Sequence, residues 1–148
     1  MLSRNNSERR GKVNPEVKAK WVAALRSGDY KQATGHLRVT TGTGDNQQDG
    51  FCCLGVLCDL AVKAEVIGEP DAVTLDPVKK IYRYDGEGTM WLPAKVADWA
   101  EMPAGPHRDN PFVPDPRFHG EGMRQHLASL NDDKVSFDEI ADLIEQYL

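Results

Sequence analysis

No stretch of this chain approaches the ~20 consecutive apolar residues needed to span a bilayer, so the sequence predicts no membrane segment. The first residues, Met1 to Lys12, are polar and basic through Arg4, Arg9, Arg10 and Lys12. They lack an apolar core, so no secretory signal is expected. Cysteine is scarce. There are three, all between Cys52 and Cys58, and three thiols cannot all pair. That argues against a disulfide framework and predicts a reducing cytoplasmic setting. Positive charge is not in excess either: 18 Lys and Arg face 23 Asp and Glu, for a net charge of −5. Proteins that hold DNA or RNA do so by neutralising phosphates, so nucleic acid is not the expected partner. A small phosphorylated ligand in a local basic pocket stays open.

Catalytic and metal fingerprints are also missing. The glycines at Gly42 and Gly44 are not followed by Gly-Lys-Ser or Gly-Lys-Thr, so they form no Walker loop. Cys52, Cys53 and Cys58 lack the Cys-x2-Cys spacing of zinc sites, and His119 and His126 stand alone. No metal and no cofactor are expected.

What the chain does have is one apolar run, Phe51-Cys-Cys-Leu-Gly-Val-Leu-Cys-Asp-Leu-Ala61, in an otherwise polar sequence. With 148 residues the chain is long enough for one domain, which buries roughly two-thirds of its unfolded surface. Residues 1 to 13 read as a disordered charged arm and 14 to 148 as the domain.

Helix signals are clear at three places. Asn14 caps, Pro15 suits the first turn and Glu16 complements the dipole. Val17, Trp21 and Leu25 then form a stripe, and Gly28 ends a helix predicted over Pro15 to Ser27. Cys52 to Val62 is apolar round most of its circumference, which predicts a buried helix. Gly55 in a buried helix lets another backbone approach closely. Ser136-Phe-Asp-Glu139 is a capping box, followed by the inward stripe Phe137, Ile140, Ala141 and Ile144.

Between these, Leu37 to Thr41 predicts a strand, residues 42 to 50 a turn, and Val73 to Leu75 a short strand. Lys80 to Tyr84, the turn signal Asp85-Gly86-Glu87-Gly88 and Thr89 to Leu92 predict a hairpin. Pro93 opens a short helix, and Met102 to Gly122 is loop pinned by Phe112, Val113 and Phe118. Met123 to Asn131 predicts one more short helix. The fold class expected is a single compact α+β domain. A central buried helix is flanked by N- and C-terminal helices and a small antiparallel sheet.

Two groups of residues carry chemistry. Cys52, at the start of a helix, suggests a nucleophile whose base comes from His36, His107, His119 or His126; its apolar surroundings favour a core cysteine instead. The second group is polar. Arg26, Tyr30, Lys31 and Gln32 surround one helix end, and Arg38 follows on a strand. Arg26, Lys31 and Arg38 suit phosphate, Tyr30 and Trp91 suit stacking on a base, and Asn131 and Asp132 suit sugar or base hydroxyls and edges. The segment from Leu127 to Leu143 has the look of a helix-turn-helix. Its Asp132, Asp133, Asp138, Glu139 and Asp142 would repel phosphates, and no recognition helix follows.

Taken together, Trp21, Arg26-Ser-Gly-x-Tyr30-x-Gln32, Phe51 to Leu60, Leu92-Pro with Trp99-Ala100, Leu127-x-x-Leu-Asn-Asp132 and Ser136-Phe-x-Glu-Ile-Ala with Ile144 resemble a widespread group of small uncharacterised proteins of tailed bacteriophages. The resemblance covers about residues 14 to 148. It implies action in the cytoplasm of an infected bacterial host, countering host defences. By analogy it implies a sponge that sequesters a nucleotide-derived signal without catalysis. The expected partner is therefore a small nucleotide-like ligand. Two alternatives stay open: a hydrolase or transferase dependent on Cys52, and an inhibitor that binds a host protein through the acidic C-terminal helix.

Overall fold

The computed structural model describes residues 12–118 and 122–148. The charged arm up to residue 11, and His119, lie outside them. Val13, which the sequence reading assigned to that arm, belongs to the core: it is buried, and its amide donates to the Leu148 carbonyl at 3.1 Å.

Helix α1 runs Pro15–Arg26. Asn14 Oδ1 accepts from the amides of Glu16 at 2.9 Å and Val17 at 3.2 Å. Such a cap is worth about 1 kcal/mol because it satisfies amides that have no partner within the helix. The stripe Val17, Trp21 and Leu25 is buried, with Val22 beside it. Trp21 Nε1 donates to the Cys53 carbonyl at 2.9 Å, which fixes α1 on the central helix.

That central helix, α2, spans Cys53–Lys63 with Cys52 as its cap. Every side chain from Cys53 to Cys58 is buried. Gly55 is where the backbone of Leu37 crosses. A Cβ added there would lie 1.7 Å from the Leu37 carbonyl oxygen, so only glycine fits. The same carbonyl accepts from the Cys52 amide at 3.1 Å, which ties the start of the sheet to the start of α2.

The main sheet is antiparallel: β1 (Arg38–Thr41), β2 (Gln48–Phe51), β3 (Asp71–Asp76) and β4 (Lys79–Arg83), in the order β2-β1-β4-β3. Two sequence expectations are corrected here. Residues 48–51 form a strand rather than a turn; Gly50 allows this because a Cβ there would sit 2.6 Å from that of Ala33. Thr89 to Leu92 is not a return strand. β4 is already paired on one side with β1 and on the other with β3, so no edge is left for a further strand. The hairpin partner of β4 is β3, through the turn at Pro77–Val78, where Asp76 Oδ1 accepts from the Val78 amide at 2.9 Å.

Helix α3 (Ala94–Trp99) follows Pro93 as predicted. A second, two-stranded sheet, β5 (Phe112–Pro114) with β6 (Arg124–His126), lies within segments read as loop and helix. Of the three residues expected to pin that loop, Val113 is fully buried, Phe112 partly so, and Phe118 is 47% exposed. Helix α4 then begins only at Leu127 and ends at Asp132. Helix α5 (Phe137–Tyr147) is capped by Ser136, whose Oγ accepts from the Glu139 amide at 3.2 Å. It packs chiefly on α1, while α1 and α4 both pack on α2. The domain is α+β, with α2 at its centre. Among the described residues no helix is long and apolar enough to cross a membrane.

Candidate functional site

Three connections meet beside the N-terminus of α2. The segment before β1 is stitched to the one before α3: Leu37 N donates to Thr89 O at 2.7 Å, and His36 Nδ1 lies 3.0 Å from Thr89 Oγ1. The segment before α3 is held to the loop before β5 by Leu92 N donating to Asp109 O at 2.9 Å. That loop in turn caps α4. Asn110 Oδ1 accepts from the Ala128 amide at 3.1 Å, and Pro111 O accepts from Leu127 N at 2.9 Å. Asp132, at the end of α4, closes the ring by accepting the Gly35 amide at 2.9 Å.

These stitches border an open cavity of about 440 Å³. Its polar lining is His36, Asp109, Asn110, His126, Ser129 and Asp132, with Cys52 in its wall and Met90 and Trp91 as its large apolar residues. Trp91 is 51% exposed.

The two histidines that line the cavity, His36 and His126, are held neutral at neutral pH. Burial pulls His36 below its ordinary value and the field of Lys79 adds to this, with Asp132 opposing. Burial does the same to His126, reinforced by His107 and opposed by Asp109. His107 Nδ1 lies 3.0 Å from His126 Nε2, and the His107 ring stacks on Phe112 at 4.5 Å. Cys52 is buried, and this pushes its thiol up to about 11. Its Sγ accepts from the Gly55 amide at 3.4 Å. Among the described residues no histidine nitrogen is hydrogen-bonded to it.

Of the eight residues that sequence placed in a ligand site, the cavity takes only Trp91 and Asp132. The others are committed to the fold. Arg26 bridges α1 to α5 by pairing with Asp142 at 2.5 Å and Glu145 at 3.2 Å, which raises its pKa. The Tyr30 hydroxyl donates to Asp59 and receives from Lys63 Nζ at 3.1 Å. Lys31 donates to Gln48, and Lys31 and Gln32 line a separate recess of about 70 Å³. Arg38 pairs with Asp49 at 2.8 Å and stacks on Tyr82 at 4.4 Å. Gln32 and Asn131 bond to each other at 3.0 Å, and Asn131 also receives the Cys53 amide at 3.1 Å.

Conversely, His36, Asn110 and His126 line the cavity. The histidines were visible in sequence only as bases for Cys52, and Asn110 carried no local signal. Among the described residues no group of three or more His, Cys, Asp or Glu side chains could hold a metal ion.

No curated protein and no solved structure matches the chain. A family model does match it, over residues 13–148, and the chain belongs to that family: Domain of unknown function (DUF8296).

Proposed function

We propose that this chain is a small-molecule binding protein that holds a nucleoside-like ligand in the cavity beside the α2 N-terminus without transforming it. The observation that carries this reading is the cavity itself. Its volume falls in the ~300–1,000 Å³ range of small-molecule sites, and it combines a half-exposed indole with convergent polar groups. Trp91 offers a ring face for stacking, and the neutral His36 and His126 offer hydrogen bonds of either sense. A protonated thiol with no base bonded to it favours binding over turnover. Given the resemblance to phage proteins, such a protein would act in the bacterial cytoplasm by sequestering a nucleoside-like defence signal derived from a nucleotide. A thermal-shift panel of nucleosides, nucleotides and cyclic nucleotides tests this. At least one compound should stabilise the protein, and the stabilisation should vanish in Trp91→Ala; no stabilisation at millimolar concentration would overturn it.

One observation favours a second reading. Cys52 lies in the wall of the cavity that His36 and His126 also line. A histidine swinging onto Sγ would make a nucleophile–base pair. Iodoacetamide labelling of the native protein at pH 7 separates the two. Binding alone predicts slow labelling of Cys52; labelling faster than that of a free thiol would favour a cysteine enzyme.

A further inference from the structure

Resting on the binding reading, the cavity's spare hydrogen-bonding groups and its charge also speak to the ligand's chemistry. Asn110 is only 9% exposed, and its Oδ1 is engaged by the Ala128 amide. Its Nδ2 has no partner among the described residues, although the residue lines the cavity. Asp132 commits Oδ1 to Gly35, and its Oδ2 has no partner among them either. One wall therefore presents an unused donor and another an unused acceptor. Neither atom is buried, so each is open to the complementary atom of a ligand entering the cavity.

Charge narrows the class. The lining carries two carboxylates, Asp109 and Asp132, and no Lys or Arg. His36 and His126 are neutral at neutral pH. Lys79 acts on His36 but does not line the cavity. The cations that sequence offered to phosphate are engaged elsewhere: Arg26 with Asp142 and Glu145, Arg38 with Asp49, Lys31 with Gln48. A phosphate entering the cavity would meet carboxylates rather than guanidinium groups.

We infer that the cavity takes an uncharged ring compound carrying both a hydrogen-bond donor and an acceptor, of the nucleobase or nucleoside class, and discriminates against its phosphorylated forms. Trp91 covers the ring face, Asp132 receives the ligand's N–H or O–H, and Asn110 donates to its carbonyl or ring nitrogen.

Calorimetric titration of the whole chain with adenosine, guanosine, cytidine and uridine, and with their 5′-monophosphates, decides it. At least one nucleoside should bind ten-fold or more tightly than its monophosphate. Asp109→Asn and Asp132→Asn, each removing one negative charge, should narrow that gap; Asp109 makes no hydrogen bond through its side chain among the described residues, so its variant keeps the fold. A monophosphate that binds as tightly as its nucleoside, or more so, overturns the inference. If none of the eight binds but a charged compound, or one outside the nucleobase and nucleoside class, stabilises the protein in a Trp91-dependent way, the inference also fails while the binding reading stands. If no compound of any class does so, both fall.

Discussion

Asn131 and Asp132 are neighbours on α4, yet their surroundings use polar groups in opposite ways. Around Asn131, which is 0% exposed, both side-chain polar atoms are engaged. Its Oδ1 accepts from Cys53 N and Gln32 Nε2, and its Nδ2 donates to Ala33 O at 2.7 Å. Gln32 Nε2 in turn reaches Val135 O at 2.8 Å. This junction ties α4, the start of α2 and the segment before β1 into one buried knot. Around Asp132, at the cavity, groups are left over: one carboxylate oxygen, the Asn110 amide nitrogen and the Trp91 indole N–H have no partner among the described residues. At Asn131 every side-chain polar atom is spent on the fold, whereas at the cavity Asn110 and Asp132 each spend one oxygen on the fold and keep a second polar atom open to a ligand. Residue type alone does not separate the two cases.

Substitutions in the knot should damage stability more than substitutions of the cavity groups that hold no part of the fold. The largest effect is expected for Gly55→Ala beside the knot. Its methyl would overlap the Leu37 backbone, which cannot move without breaking the Cys52–Leu37 hydrogen bond, so a loss of at least ~3 kcal/mol is expected from urea unfolding. Asn131→Ala comes next. It strands the Cys53 amide and the Ala33 carbonyl in the core, at a cost of about 3 kcal/mol by the same measurement.

Acid should have a smaller effect, arising in the cavity. His36 and His126 lie below their ordinary value in the fold, so the unfolded chain takes up protons first as pH falls. Their contribution to stability is full above the ordinary histidine value and is lost as pH falls below it, through the lowered values of the folded state. Asp49 and Asp115, held below the usual carboxylate value, lose their contribution only at lower pH. Melting temperature against pH should flatten in that upper window in a His36→Gln, His126→Gln double variant. The smallest effect on stability is expected for Trp91→Ala. Its half-exposed ring leaves the unfolding free energy within ~0.5 kcal/mol of the parent while abolishing ligand-induced stabilisation.

Local signals explain what could be read in advance. The Asn14 and Ser136 caps and the stripe Val17–Trp21–Leu25 each depend on neighbours in sequence, and each is found as expected; a glycine inside an apolar helix announces the close approach at Gly55, but only the fold shows that Leu37 makes it. The strands β2, β5 and β6 are three or four residues long, too short for alternation to show, and are defined by their partners. The site suffered for the same reason. Arg26 is a free guanidinium in sequence and an ion pair in the fold, because Asp142 lies 116 positions away. Cys52 and the histidines could be suspected together from residue type, but only the fold shows that His36 and His126 share its cavity while Sγ accepts from Gly55.

The division between knot and cavity is tested most directly by amide and indole chemical shifts in a nucleoside titration. Shifts should concentrate at His36, Trp91, Asn110, His126 and Asp132, with Arg26, Lys31, Gln32, Arg38 and Asn131 unmoved. Shifts centred on Arg26 to Gln32 and Arg38, with the Trp91 indole unchanged, would contradict it.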